Sequence, residues 1–330
     1  MKRAIVALRK GHVTTAPLLL RAGLSRRDLA SQHRIPAAAQ GAFFEDAAEA
    51  LNDTAFGLHL AEETNPREAG LLFYVASAAK NVGEALVLFE RYFRIVNEAV
   101  RLKLNLASER VVVEFDFFGL SRHHIHQNAE FGIAVILKAL REAAGRNISP
   151  TKATFAGGRT SDLGEFRRFY GCPVEFGAAP DRLVFSNETL TVPLVTRDRY
   201  LLKTLRPICD AAAKGRATPK GTVRAAVENE VQRLLPHGKA QREEVAKALA
   251  MSTRTLSRRL AEEGTGFDDV LDELRRSLAL QYIKEPGLSF SQIAWLLGYE
   301  GPTSFNHAFK RWTGRPPSEV RDEKLSARAV

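Results

Sequence analysis

The stretch Ser289–Gly314, SFSQIAWLLGYEGPTSFNHAFKRWTG, decides how the C-terminal third of the chain is read. Ile293, Ala294 and Leu297 recur at helical spacing and so share one inward face. Gly298 suits a sharp helix exit. Pro302 suits the first turn of the next helix, where a missing N–H costs nothing. In that second helix Phe305, Phe309 and Trp312 make an apolar stripe, leaving Thr303, Asn306, His307 and Lys310 on the other side. Asn can pair with adenine through two hydrogen bonds. Lys310, Arg311 and Arg315 have the charge and reach to meet phosphate, which positions a protein on a duplex without specifying sequence. Two short helices about a tight turn predict a helix-turn-helix unit.

Working outward, Gln241–Gly264, QREEVAKALAMSTRTLSRRLAEEG, repeats the plan. Val245, Ala246 and Leu249 face inward, Ala250–Met251 make the turn, and Ser252 is placed to cap the next helix. Leu256 and Leu260 stand four apart and pack inward, so Thr253, Arg254, Ser257 and Arg258 share the outer face. Arg can grip guanine O6 and N7 together, and Thr or Ser can meet bases or phosphates. Arg259 lies nearer the edge, a phosphate position. No acidic residue occurs from Ser252 to Ala261. Helices are expected at 222–235, 241–250, 252–263, 267–285, 289–297 and 302–312. A lone exposed Arg254 or Arg258 reads as a solvated face, and His307 equally as a capping or packing histidine. Two such units joined by one long helix, Phe267–Ile283, are much harder to reach by chance.

Residues 219–320 resemble the DNA-binding domain of the AraC/XylS family of bacterial transcription regulators. The string IAWLLGYEGPTSFNHAFKRWTGRPPSEVR, Ile293–Arg321, carries the likeness through Gly298–Tyr299, Phe305, Phe309–Trp312, Gly314 and Pro316–Pro317. The resemblance implies an all-α domain of two helix-turn-helix subdomains bridged by a long helix. It implies recognition helices in successive major-groove segments of double-stranded promoter DNA. On that likeness Arg254, Arg258, Thr303, Asn306 and His307 fall where the family reads bases. His307 stands where many relatives carry Arg.

The segments Ala48–Val100 and Phe166–Leu194 are similar, more loosely, to the arabinose-binding-type regulatory domain of a subset of these regulators. That similarity implies a small-molecule effector and a homodimer formed through this domain, with RNA polymerase a further partner. The domain's name is not evidence for a sugar, because relatives sense diverse molecules. Activation and repression are both left open.

The N-terminal region reads by itself as α+β with a small antiparallel sheet. Helices are expected at 37–51, 71–79, 82–96, 124–144, 163–170 and 197–213. Strands at 100–106 and 111–117 alternate in polarity and pair through 107–110, with further strands at 153–155, 174–176 and 182–185. Asp210–Thr222, DAAAKGRATPKGT, reads as an exposed hinge, giving a regulatory domain at 1–215 and a DNA-binding domain at 216–330.

Composition narrows the classes. The 330 residues are 45% hydrophobic and 26% charged, which excludes a mostly disordered or collagen-like chain. Cys172 and Cys209 cannot form a disulfide framework and suit a cytoplasmic protein. The longest apolar runs, such as Leu71–Ala79, fall well short of the roughly 20 residues of a membrane helix. Met1–Lys10 lacks the long apolar core of a signal peptide. The net charge of +10 favours a polyanionic partner. Yet residues 1–218 carry +7 and residues 219–330 only +3, so local placement, not net charge, locates the site.

Other clusters read more plainly. His123, His124 and His126 with Glu130 read as a polar surface at a helix start, and no metal or cofactor is expected. Cys172 reads as a small buried residue rather than a redox sensor. Arg91, Tyr92 and Arg94 are candidate contacts for an anionic effector, or a helix's solvent face. GxSxG, HExxH, Walker and GxGxxG signatures are absent, so no enzyme is expected. Two rivals stay open: a non-specific architectural DNA-binding protein, and a ligand-processing enzyme fused to a DNA-binding domain.

Overall fold

The computed structural model describes every residue except 26, 27, 29–34, 107–109, 119, 121–124, 160, 179, 215, 217–221, 286 and 327–330. The chain forms two compact units, one built on the residues before 220 and one on those after.

Among the described residues, the larger unit opens with four helices: α1 Lys2–Lys10, α2 Thr15–Arg21, α3 Ala37–Ala50 and α4 Phe56–Glu63. Leu8, Leu18, Leu19, Phe43, Phe44 and Phe56 enclose a small core of their own. The sequence reading anticipated only α3. The main core lies between α5 Leu71–Ser77, α6 Val82–Tyr92 and the long α7 His126–Ala144 on one side and a five-stranded sheet on the other.

That sheet has the order β1-β2-β5-β3-β4, with β1 Val100–Leu106, β2 Arg110–Phe117, β3 Lys152–Phe155, β4 Val174–Phe176 and β5 Asp181–Ser186. β1 and β2 pair antiparallel with Val100 opposite Phe117 and Leu104 opposite Val113. Alternation puts Val111, Val113 and Phe115 inside. The expected antiparallel sheet needs one correction: β3 and β4 run parallel. A parallel pair requires a crossover, and α8 Leu163–Tyr170, between the two strands, supplies it.

After α9 Asn187–Thr191, the helix α10 Arg199–Lys214 closes the unit. It corrects the expected hinge, because Asp210–Lys214 is helical and anchored. Asp210 accepts hydrogen bonds from Arg91 Nη2 at 2.8 Å and Tyr92 Oη at 2.9 Å, and Ala213 is buried. Arg216 then donates to the carbonyls of Ala212 and Ile95. A stretch of small residues looks like a linker until its burial is known.

A second correction concerns the histidine cluster. His126 and Glu130 are buried in the first turns of α7, not at a polar surface. His123 and His124 lie outside the described residues. Among the described residues no group of three or more His, Cys, Asp or Glu side chains could hold a metal ion, and no helix is long and apolar enough to cross a membrane. Burial pushes the thiols of Cys172 and Cys209 up to about 11, and Cys172, expected to be buried, is half-buried.

The smaller unit is all helix: α11 Val223–Leu234, α12 Arg242–Ala248, α13 Thr253–Glu262, α14 Phe267–Tyr282, α15 Phe290–Leu296, α16 Pro302–Thr313 and α17 Pro317–Ser326. The sequence reading left out α17. One continuous core runs from Val245, Leu256 and Leu260 through Leu274 and Leu278 to Ile293, Phe305 and Phe309.

Candidate nucleic-acid interface

The two helix-turn-helix units are built to the same backbone plan. In the first, Leu249 N–H bonds Val245 O, Ala250 N–H bonds Lys247 O and Met251 N–H bonds Ala246 O. In the second, Leu297 bonds Ile293 O, Gly298 bonds Trp295 O and Tyr299 bonds Ala294 O. Both turns place one residue in the left-handed region, Ala250 at φ 53° and Gly298 at φ 70°. These are helix-end bonds that satisfy orphan carbonyls. Ser252 caps α13 by accepting from Thr255 N at 3.1 Å, and Ser289 caps α15 by accepting from Gln292 N at 3.2 Å.

The buried stripes fix the outer faces. On α13, Leu256 and Leu260 are fully buried, so Ser252, Thr253, Arg254, Arg258 and Arg259 are exposed and Ser257 is half-buried. On α16, Phe305 and Phe309 are fully buried, so Thr303, Asn306, His307, Lys310 and Arg311 are exposed. Thr303, Asn306, His307, Lys310 and Arg311 also line one open groove with Phe290 and Pro316–Ser318. Every residue expected at the reading face therefore reaches the surface of its helix.

Their electrostatic situations differ. Arg254, Arg259 and Lys310 have no ion-pair partner among the described residues. Arg258 stands 3.8 Å from Glu262, an exposed pair of small energy. Arg311 is held by Asp272 at 2.6 Å, and the same carboxylate accepts from Trp312 Nε1 at 2.8 Å. Arg315 is turned toward Glu319 and Glu323.

The bridging helix α14 sets the second unit. Besides Asp272, its Arg275 donates through Nε to Leu297 O at 3.0 Å and lies over the Tyr299 ring at 4.7 Å. A cation thus sits at the C-terminal end of α15, where carbonyls are unpaired. Burial, the largest cause, raises the Tyr299 hydroxyl pKa, with Arg275 opposing. Sequence reasoning missed Asp272 and Arg275, since their partners lie 22 to 40 residues away.

The candidate effector contacts Arg91, Tyr92 and Arg94 lie at and just after the end of α6. Arg91 and Tyr92 are engaged by Asp210, and Tyr92 is buried. Arg94 is exposed. A cavity opens on the other side of the same segment, lined by Phe89 and Phe93 and by none of these three.

Residues 13–194, more than half of the chain, match the family described as the arabinose-binding domain of AraC transcription regulator, N-term. This chain belongs to the AraC family of transcription regulators. Residues 245–323 match a helix-turn-helix domain family, covering both units described above. The ornithine utilization regulator of Pseudomonas aeruginosa is 28% identical over 280 residues, covering 83% of this chain and 81% of its own. The regulator VirS of Mycobacterium tuberculosis is also 28% identical, covering 84% and 81%. The crystal structure of the regulator CdpR from Pseudomonas aeruginosa aligns over 97% of each chain at 23% identity, with a TM-score of 0.45. The chain is accordingly an effector-responsive DNA-binding regulator of the AraC type, with two helix-turn-helix motifs behind an α+β ligand-binding domain.

Proposed function

We propose that both reading helices dock at once on promoter DNA. Thr253, Arg254, Ser257 and Arg258 of α13 and Thr303, Asn306 and His307 of α16 meet base edges in two successive major-groove segments. Ser252, Arg259, Lys310 and Arg311 meet the backbone. The observation that carries this reading is the pairing of two equivalent turns on one continuous core, each followed by a helix that buries its apolar stripe and leaves polar and basic residues exposed. Phosphate contacts supply affinity and the base-facing residues supply sequence preference.

We assign the active form as a homodimer. The outer face of α10 supports this, because Tyr200, Thr204, Ile208 and Ala211 form an exposed stripe without charge. A contact with RNA polymerase in the cytoplasm is the matching route to activation.

Selection from a random duplex library tests the reading. The expected result is an enriched motif with two contacted segments about 10 base pairs apart. Competition against scrambled duplex separates a regulator from an architectural protein, for which the specificity ratio stays near one. No enrichment overturns the proposal.

A further inference from the structure

The larger unit contains a cavity of about 340 Å³ whose wall divides by chemistry. Its interior is lined by Phe73, Phe89 and Phe115, which are buried, and by Phe93, Phe117 and Phe131, which are half-buried. Its edge is polar and exposed, with Lys2 and Arg3 at the start of α1 and Asn65 and Glu68 in the turn before α5. Arg3 donates to Glu68 at 2.8 and 3.2 Å, which joins the two segments and occupies the carboxylate. Lys2 has no ion-pair partner among the described residues. The Met1 amino group stands at the same edge, held below its usual pKa by burial, with Glu68 opposing. Glu63 also attracts Arg3, but it lies off the wall and is paired with Lys10. The edge therefore sets two basic side chains against one carboxylate.

The uncharged polar groups of the wall lean the same way. The side-chain oxygens of Asn65, Asn97 and Asn128 accept from Arg67 N, Ala99 N and Gln40 Nε2 at 3.0, 3.0 and 2.8 Å. Their N–H₂ groups have no partner among the described residues. They sit at different depths, Asn65 exposed, Asn97 half-buried and Asn128 buried. Gln40 Oε1 is the open amide acceptor, and Thr64 Oγ1 is spent on Leu60 O. Three amide donors against one amide acceptor, beside a basic edge, call for a ligand that brings acceptors and negative charge.

We propose that this cavity binds an amphipathic organic anion, with its carboxylate at the Lys2–Arg3 edge and its apolar body among the phenylalanines. The proposal rests on the effector-responsive reading and names the effector's class. Scaling from the about 150 Å³ cavity that admits benzene, the space suits a ligand of about a dozen non-hydrogen atoms. The anionic head does not enter the dry interior. Lys2, Arg3 and Asn65 meet it where solvent still reaches, so the charge is paired without full desolvation. The aromatic interior excludes a polyol, whose hydroxyls would outnumber their partners there. The basic edge repels a ligand whose head is an ammonium. Asn97 and Asn128 can each receive a second acceptor, so an oxo or hydroxyl oxygen along the body is accommodated.

Charge and shape are tested separately, on the full-length chain, by thermal unfolding and calorimetry. The probes are 4-phenylbutanoate and octanoate, set against 4-phenylbutanamide, 4-phenylbutylamine, acetate, L-arabinose and L-ornithine. The two acids should raise the melting temperature as their concentration rises. The amide should bind about fivefold more weakly than 4-phenylbutanoate, and the other four should give no response. Added salt should weaken the acids and leave the amide level. Lys2→Glu should weaken 4-phenylbutanoate about tenfold and Glu68→Gln should strengthen it about threefold, both leaving the amide unchanged. A merely structural loss would move acid and amide together. Gly132 tests the shape: it lies in α7 on the cavity wall, and a side chain there would enter open space. Gly132→Leu fills that space while replacing a helical glycine, so the variant should stay folded and lose the acid response. The proposal is overturned if neither acid binds, if any of the other five probes matches 4-phenylbutanoate, or if folded Gly132→Leu keeps the response. It is equally overturned if Lys2→Glu or Glu68→Gln fails to move the acid in its stated direction, and these two decide alone should Gly132→Leu not fold. Competition binding to DNA is scored on the same preparation. A flat ligand response with specific DNA binding sinks the cavity assignment alone, and lost DNA specificity sinks the regulator reading alone.

Discussion

Arg258 and Arg311 show how one side-chain type divides by its neighbours. Arg258 is loosely paired and exposed, free to leave Glu262 for a base edge. Arg258→Ala should cost about 1–3 kcal/mol on the cognate site and relax preference at one base pair. Competition binding against single-base variants of the selected site reads both effects, and unchanged discrimination would show that the reading face is misassigned. Arg311 is clamped by Asp272, so Arg311→Ala should weaken all duplexes alike and lower the salt dependence by about one phosphate contact. Exposure of these residues was legible in the sequence because Leu256, Leu260, Phe305 and Phe309 fix the phase of each helix. The clamp was not, since Asp272 and Arg311 are brought together only by tertiary packing. His59 makes the same point in the larger unit. Its Nδ1 meets Asp53 at 2.8 Å and its Nε2 meets Glu165 at 2.6 Å. The hydrogen bond to Asp53 contributes most to raising its pKa from 6.5 to about 9, and that to Glu165 adds to it. Between those values the folded state holds a proton that the unfolded chain has released. This contribution to stability is therefore full below pH 6.5, declines as pH rises and is gone above about 9. Melting curves of the wild type and His59→Gln should diverge below pH 6.5 and converge by about pH 9. Parallel curves would mean that the pairing is not maintained in solution.

At the scale of elements, the same substitution has opposite signs in two neighbouring helices. Gly57 in α4 lies against α7, and a Cβ there would stand 2.2 Å from the carbonyl oxygen of Gln127. That approach lets Gly57 N–H donate to Gln127 Oε1 at 2.6 Å while Gln127 Nε2 donates to Thr54 O. Gly57→Ala should force the helices apart and cost about 1–3 kcal/mol. Gly132→Ala, facing open space, should instead stabilise by about 0.5–1 kcal/mol through helix propensity. Denaturant midpoints of the two variants should move in opposite directions. Neither sign was readable in the sequence, where both are simply glycines in apolar surroundings. The helices missed there, α1, α2, α4, α9 and α17, are five to ten residues long. Such short helices are marginal alone and are held by packing, as Leu8 and Leu18 show in the small N-terminal core. The helices of the reading unit were legible because capping residues, turn residues and apolar spacing all agree there. The parallel β3–β4 pair was hidden for the opposite reason: three-residue strands such as Val174–Phe176 carry too little alternation to reveal a direction.

At the scale of the molecule, the reading unit is one body rather than two beads. Leu256 and Leu260 of the first helix-turn-helix share a core with Phe305 and Phe309 of the second, and α14 runs between them. Asp272 and Arg275 tie that helix to the turn and to the recognition helix of the second unit. The phase between the two recognition helices is thus set by packing, not by a tether that can stretch. Two flexibly linked readers would lose binding when half a helical turn is inserted between their segments and regain it at a full turn. This unit should not. Inserting about 5 or about 10 base pairs between the two contacted segments should each reduce affinity to that of a single segment. Repeating the titration with Arg254→Ala checks the cause. If the second segment alone holds the spaced sites, that variant should bind them as the wild type does, while losing affinity for the native spacing. Recovery of full affinity at the full-turn insertion would mean that the two halves move independently, and the shared core would then have to break on binding.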